Sequence, residues 1–416
     1  MTMVDFSRER DAVIVGGGPA GAAAAFWLAS QGLDVLVLEA KNLPRSKPCG
    51  DGIGPRAVLA LREMGLEGWL NKIGRHRIER IRIVSPSGAA LVSGAEPELF
   101  PVTYGYVVGR DVFDKKLIDH AAGAGAEVAQ NVHADGFLGE NGQPTGPPPD
   151  RARGISATHD GRPLRIRAKV TVVADGSTGR LSRLCNPRAS KAKAVALRAY
   201  AEGVAGIDDC INIFFNRRYP YGYGWIFPTG PITANIGVGL LRAAKGVGTR
   251  DIRSAFSYFL EEQDLTPLSL VGCRLIGRPA GSIMRMDFRH SLIQRPGLAL
   301  IGDAAGLVSP LSGEGIGHAL ESGRLLADSL EGAFGDPRRL DLALASFDRG
   351  MRRSFATYFW WAHLLSRILS RPERFDRLVA KANRHRRLRL VLAGAMTDTA
   401  HPRELGRLGV LMRMFI

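Results

Sequence analysis

The sequence predicts an α/β fold with a parallel sheet at its centre, an inserted antiparallel β-sheet and a C-terminal helical segment. Residues 11–39, DAVIVGGGPAGAAAAFWLASQGLDVLVLE, pass from an apolar strand through a Gly-rich turn and an Ala-rich helix into a second apolar strand that ends on Glu39, which is a βαβ unit. Residues 195–240 alternate with period 2 (Val195, Leu197, Ala199, then Ile211, Ile213, Phe215) between Gly and Pro turns, the pattern of half-buried antiparallel strands. Beyond residue 336 the pattern is helical, with Pro337 and Pro372 as start signals.

Each part of the first unit has a physical job. Gly16 permits the tight turn out of the strand, Gly18 lets the backbone approach a pyrophosphate, and Gly21 lets the helix pack closely on the sheet. The helix that opens at Pro19 and Ala20 offers unpaired N–H groups to phosphates. Glu39 lies 18 residues past Gly21, close to the usual ~20 at which a carboxylate accepts both ribose hydroxyls, and an acid there disfavours a 2′-phosphate. The unit is a Rossmann-like nucleotide site.

Near the other end of the chain, Leu298–Ile301 is an apolar strand that runs into Gly302, Asp303, Ala304, Ala305 and Gly306, then Pro310, Gly313, Gly315, Ile316 and a helical pattern. A carboxylate at a strand end beside a Gly-rich helix start can hold the hydroxyls of a ribityl chain while the helix N-terminus faces phosphates and a flavin ring. Read alone, Asp303 is a helix-capping residue. In this company the segment resembles the second FAD fingerprint of flavoproteins with the para-hydroxybenzoate hydroxylase fold, and Val172–Ser177, with Asp175 and Gly176, resembles the central Asp-Gly fingerprint of the same superfamily. FAD is therefore the expected cofactor. Gly237-Val238-Gly239 lacks the third glycine of a second nucleotide site, so NADPH, NADH or another reductant is expected only as a transient donor.

The fingerprints place the FAD domain in residues 1–75, 100–190 and 275–335. A substrate domain takes 76–99 and 191–274, and a helical region takes 336–416. Gly139–Gly154, with its three consecutive prolines, reads as an exposed loop. At 416 residues the chain can bury a large core, and 45% hydrophobic with 23% charged residues is ordinary for a globular protein. Cys49, Cys185, Cys210 and Cys273 are far apart without a CxxC spacing, which suggests neither a zinc site nor a disulfide framework, so no metal is expected. With a polar N-terminus and no apolar signal segment, the chain reads as cytoplasmic.

The formal charge of +16 is uneven: residues 351–416 hold 14 Lys/Arg and 4 Asp/Glu. Arg384, Arg386, Arg387 and Arg389 cluster there beside Phe355, Tyr358, Phe359, Trp360, Trp361, Leu364, Leu365, Ile368 and Leu369. The apolar run contains Arg367 and is shorter than the ~20 residues of a spanning helix. Two readings stay open: Arg-rich helices with exposed aromatics and the terminal LGVLMRMFI lying on an anionic membrane surface, on the inner face of the membrane, or a helical cap packed on the body with solvated arginines. No nucleic-acid motif is present and the aromatics are not interleaved with the basic cluster, which argues against nucleic acid as a partner. Nothing indicates an oligomeric state.

Pro44-Arg45-Ser46-Lys47-Pro48-Cys49-Gly50-Asp51-Gly52-Ile53 follows the βαβ unit where a loop would cross near a flavin. With Tyr223-Gly224-Trp225-Ile226-Phe227-Pro228, Ala234–Gly239 and the GDAAG…P…GEGI segment, it resembles the geranylgeranyl reductase family over about residues 10–330. The resemblance implies an FAD enzyme that reduces isolated double bonds of a polyprenyl chain on a lipid, a quinone or a prenyl alcohol or diphosphate. It also implies cofactor contacts at Ala40, Arg45, Cys49, Gly50 and Arg110, beside the fingerprint residues, and places Cys49 near the flavin ring to relay a proton or hold ring geometry.

An isolated alkene is not electrophilic, so hydride addition needs a proton at the other carbon, with positive charge building at the tertiary centre. Tyr223, Trp225 and Phe227, alternate residues on one strand face, can line an apolar tunnel and stabilise that charge by cation–π attraction. Their plain alternative is a sheet-core stripe, as a small buried hydrophobe is for Cys49. Arg45 and Lys47 grip a phosphate or are surface charge, and His318 is expected to face solvent. Rival functions are a flavin monooxygenase or halogenase of the same fold and a non-catalytic flavoprotein. Halogenases carry WxWxIP where this chain has Tyr223, Trp225 and Phe227, and aromatic hydroxylases commonly lack the cysteine segment.

Overall fold

The computed structural model describes residues 4–73, 77–98, 100–187, 193–219, 222–241, 249–262 and 265–404. Its central sheet has a parallel core of five strands in the order Leu298–Leu300, Arg162–Val173, Arg10–Val15, Val35–Glu39 and Glu127–Gln130. Ile14 sits between Val37 and Val172 in register. Residues of the strands Arg10–Val15 and Val35–Glu39 are almost all buried, because helices cover the sheet and no face is left for water. The helix Pro19–Ser30 lies against Ile316–Leu330 and Arg110–Gly123. Small side chains make the first contact possible: a Cβ on Gly323 would come within 2.7 Å of the Ala24 nitrogen. The carboxyl ends of three of the parallel strands deliver Gly16, Glu39 and Asp175, and Ile301–Asp303 follows a fourth at the same edge, where ligands of such sheets bind.

The second sheet has seven strands in the order Arg274–Arg285, Lys193–Glu202, Thr233–Leu241, Gly222–Pro228, Cys210–Phe214, Arg80–Val84 and Ala90–Gly94. It is antiparallel as expected except at one junction, where Cys210–Phe214 runs parallel to Arg80–Val84. These two strands are not joined by a hairpin; the chain passes through the central sheet between them, which frees their relative direction. One face of this sheet packs Phe214, Ile226, Ile236 and Val238 against Ile252, Phe256 and Phe259 of the helix Thr249–Glu261. The opposite face turns toward the Cys49 segment. Pro144–Thr145 forms a short strand within the expected loop of residues 139–154.

The C-terminal helices are Pro337–Leu369, Pro372–Arg384 and Arg386–Met396, and the first two begin at the two prolines. Of the two readings of this segment, the exposed aromatic face is corrected here in favour of the packed cap. Phe355, Tyr358, Phe359, Leu365 and Leu369 are buried, Trp361, Leu364 and Ile368 are half-buried, and Trp360 is exposed. The segment caps the body because its apolar residues recur at helical spacing and face the helix Ile316–Leu330. The same cap corrects the expectation for His318, which is 1% exposed and lies among the rings of Phe355, Tyr358 and Phe359. Arg384, Arg386 and Arg387 are exposed and Arg389 is partly so, with Arg386 paired to Glu96. LGVLMRMFI lies outside the described residues. Among the described residues no helix is long and apolar enough to cross a membrane.

Candidate active site

Two cavities meet at the Lys47–Asp303 pair. The first is a cleft of about 1230 Å³ lined by Gly16, Gly18, Glu39, Ala40, Arg45, Asp175 and Gly176. Gly16 has φ +110°, and a Cβ there would lie 2.4 Å from the Ala174 carbonyl oxygen, so the turn requires glycine. A Cβ on Gly21 would fall 1.9 Å from the Gly16 oxygen. At Gly18 such an atom would meet only the Arg45 guanidinium at 3.7 Å, so the backbone there is open to the cleft. Gly18 is also the N-cap of the helix Pro19–Ser30 and supplies no capping side chain, which leaves the helix N–H groups to a ligand. This open backbone, a helix start and an acid at the next strand end fit the pyrophosphate and ribose of FAD.

Glu39 is buried, accepts the Gly17 N–H at 3.0 Å and the Lys41 N–H at 3.1 Å, and pairs with Arg45 at 3.3 Å. Arg45 also reaches Asp114 at 3.1 Å, and Asp114 receives the buried Arg110 through two hydrogen bonds of 2.7 and 2.8 Å. Arg110 in turn borders Cys49, so an ion chain runs from the Glu39 end of the cleft to the thiol. Arg45 is thus neither free surface charge nor a free phosphate clamp. The Asp175 carboxylate caps the helix Arg180–Cys185, accepting the Leu181 N–H at 2.8 Å and the Ser182 N–H at 3.2 Å, and burial pushes its pKa up to about 6. Lys47 sits 3.5 Å from Asp303, which also accepts the Ser177 hydroxyl at 3.2 Å.

The second cavity, about 280 Å³, is lined by Cys49, Gly50, Arg110, Tyr223, Trp225, Phe227, Gly313, Gly315 and Ile316, with apolar neighbours that include Ile211, Ile213, Phe215, Leu241 and Met284. Tyr223, Trp225 and Phe227 share the strand face away from the helix Thr249–Glu261, with ring centroids 6.3 and 6.2 Å apart. Trp225 stands over its cross-strand partner Gly237, where a Cβ would be 2.3 Å from the indole. This is the work of Gly237, which makes room for the ring; a Cβ at Gly239 would meet the same indole only at 3.8 Å. Tyr223 donates its hydroxyl to the Ser312 carbonyl at 2.5 Å, which ties the sheet to the Gly-rich turn before Ile316. The Cys49 thiol is pushed up by burial and is therefore neutral.

The sequence did not single out the network that holds Cys49 in place. Asp51 is buried with φ 62° and accepts the Tyr200 hydroxyl at 2.5 Å and the Asn235 amide at 2.8 Å. Asn235 also donates to the Cys49 carbonyl at 2.8 Å and accepts the Trp225 indole N–H at 3.0 Å. The Cys49–Asp51 loop is thereby fixed to the aromatic strand. The available signal was an Asp flanked by Gly50 and Gly52 together with an Asn inside an apolar strand. The cap likewise reaches the cavity, through Ser366, Leu369, Ala393, Met396 and Thr397.

Residues 9–196 match the family model described as an FAD binding domain, and residues 194–269 match that of a geranylgeranyl reductase catalytic domain. The chain is 36% identical to a menaquinone reductase of Mycobacterium tuberculosis over 77% of this chain and 76% of that one. It is 33% identical to a digeranylgeranylglycerophospholipid reductase of Methanosphaerula palustris over 83% and 82% of the two chains. Among solved structures, a geranylgeranyl bacteriochlorophyll reductase-like protein of Thermoplasma acidophilum superposes with a TM-score of 0.82 at 25% identity, covering 96% of this chain and 99% of that one. A flavin-dependent brominase superposes with a TM-score of 0.70 at 17% identity over 98% and 100% of the two chains, a likeness of fold alone.

Proposed function

The chain belongs to the geranylgeranyl reductase family of FAD-dependent oxidoreductases, and from that premise we propose that it saturates isolated double bonds of a polyprenyl chain carried on a quinone, a glycerophospholipid or a prenyl alcohol or diphosphate. The observation that carries the reading is the strip of three rings, Tyr223, Trp225 and Phe227, along a cavity that meets the Lys47–Asp303 junction with the nucleotide cleft. Such a cavity excludes water from an alkene, and its ring faces stabilise cationic character at the tertiary carbon.

The same reading assigns the residues and regions. Gly16, Gly18, Pro19, Ala20, Gly21, Glu39 and Ala40 hold the adenosine and pyrophosphate, while Asp175, Gly176, Gly302, Asp303, Gly313, Gly315 and Ile316 hold the rest of the cofactor. Residues 1–75, 100–190 and 275–335 form the cofactor domain, 76–99 and 191–274 the substrate domain. When bound and reduced, FAD would supply a hydride, with NADPH, NADH or another reductant as the transient donor. Cys49 and Gly50 close the cavity toward the cofactor with a neutral thiol, and Arg110 holds Cys49 by a hydrogen bond.

Relatives named for menaquinone and for digeranylgeranylglycerophospholipid make those two carriers the first to compare. Dithionite-reduced holoenzyme is incubated with each, and with geranylgeranyl diphosphate, and the products are weighed by mass spectrometry. Reduction of at least one supports the reading and identifies the carrier; no loss of a double bond from any of them overturns it. Such carriers reside in membranes, and the exposed Arg384, Arg386 and Arg387 with Arg389 supply a docking face for anionic lipid. Changing all four to Gln should lower co-sedimentation with anionic vesicles and flatten its salt dependence, whereas unchanged binding would leave the arginines as solvated charge.

A further inference from the structure

At the cavity wall and behind it stands a cluster of titratable groups that the assignments above leave unused. Glu314, on the turn before the helix Ile316–Leu330, lines the cavity and has a side chain only 14% exposed. Its Oε1 accepts the Gly317 N–H at 2.7 Å, while its Oε2 is buried and has no hydrogen-bond partner. A carboxylate oxygen of Glu314, one of Asp398 and a ring nitrogen of His318 lie within 4.8 Å of one another. Asp398, delivered by the C-terminal cap, accepts the Ser312 hydroxyl at 3.0 Å and the Tyr358 hydroxyl, and Tyr358 also meets Ser309 at 2.9 Å. His318 is hydrogen-bonded through Nδ1 to the Leu307 carbonyl at 3.1 Å, and burial lowers its pKa to about 3, so it is neutral.

Two carboxyl groups so close and so buried do not both ionise. Asp398 receives two hydroxyl donors, an environment suited to an anion, whereas the Glu314 Oε2 receives none, so the proton belongs on Glu314. The charged and titratable groups facing it are Asp303, Asp398, Arg56 and His318, while Tyr358 faces Asp398. Arg56, the one cation among them, is engaged by Glu321 at 2.7 Å. Burial first, and the Asp398 charge second, raise the Glu314 pKa well above the carboxylate range against the smaller pull of the Gly317 N–H and Arg56.

We propose that Glu314, a lining residue of the cavity, is the proton donor of alkene reduction, its carboxyl turning to bring the protonated oxygen from the buried Oε2 position to the cavity side, with Asp398 as the positioning residue that keeps the proton on Glu314. The proposal rests on the reading of the cavity as a prenyl site. In the balanced step the Glu314 O–H bond breaks and a C–H bond forms at one alkene carbon. The other carbon takes the two-electron hydride that the reduced cofactor supplies, and the carboxylate regains its proton from water. The Tyr223 hydroxyl, bound to the carbonyl of Ser312, holds the aromatic strip and the acid on one turn.

Infrared spectroscopy of the substrate-free holoenzyme tests the protonation directly. A protonated-carboxyl stretch should persist at neutral pH and disappear in Glu314→Gln, which keeps the acceptor for Gly317. In anaerobic single turnovers, the wild-type rate should be flat at low pH and fall as pH rises through the raised pKa. Glu314→Gln should be slower by on the order of 10²–10⁴-fold, without that limb and with dithionite reducing its FAD as in wild type. Asp398→Asn should move the limb to lower pH, because removing the neighbouring anion makes Glu314 easier to ionise. A wild-type rate in Glu314→Gln would make the residue a helix cap and nothing more. A holoenzyme that reduces the alkene without the infrared band overturns the donor role alone; one that has the band but reduces no prenyl alkene overturns the cavity reading and the donor role together.

Discussion

At the Gly16–Gly21 turn the molecule shapes its cleft by leaving side chains out, whereas along Gly222–Pro228 it shapes its cavity by putting three rings in. The cleft is local. Its turn, helix and acid come from one stretch of chain, and backbone N–H groups and the helix start supply the chemistry. The cavity is assembled from Cys49, the aromatic strand, the Gly-rich turn and the C-terminal cap, segments far apart in the sequence. Backbone sites tolerate almost no added atom, while side-chain sites can be altered one group at a time without losing the fold. The two regions should therefore fail differently under substitution.

The largest effect is expected at Gly21→Val, which places side-chain atoms where a Cβ already lies 1.9 Å from the Gly16 oxygen. Overpacking typically costs about 1–3 kcal/mol, and a clash with backbone this close belongs at the upper end of that range. Calorimetry should show a lowered Tm and the purified protein should lack yellow colour; full FAD occupancy would show that the helix can shift away and that the cleft is less rigid than its geometry. Glu39→Gln is the milder probe, because it keeps the shape and removes the charge. A charged acceptor is worth about 1.5–3 kcal/mol, so the Kd for FAD by fluorescence titration should rise roughly tenfold to a hundredfold. An unchanged Kd would mean that the Gly17 N–H and Arg45 already consume the carboxylate.

Cys49→Ala addresses the cavity side. It removes one thiol and little volume, so FAD content and reducibility by dithionite should match wild type while alkene turnover falls on the order of tenfold through lost positioning. Equal turnover would reduce Cys49 to packing, and loss of FAD would move it across the boundary into the cleft.

The same contrast explains what could be read in the sequence. The βαβ unit was legible because each requirement of the turn maps onto a residue type at a fixed spacing, and the alternation Tyr223, Trp225, Phe227 was legible because a strand has a period of two. The parallel junction of Cys210–Phe214 with Arg80–Val84 was not, since strand direction depends on a connection that runs through the other sheet. His318 was misplaced for a related reason: its own helix does not disclose that Phe355, Tyr358 and Phe359 will cover it. Asp398 lies 84 residues beyond Glu314 and no motif links them. Only the packed cap puts a second carboxyl beside the Gly-rich turn.

The most direct measurement asks whether oxygen is a reactant. Dithionite-reduced holoenzyme should convert a geranylgeranyl-bearing substrate under strict anaerobiosis to a product heavier by two hydrogens for each bond reduced. A product carrying oxygen or halide, formed only in air, would contradict prenyl-chain reduction in the aromatic cavity.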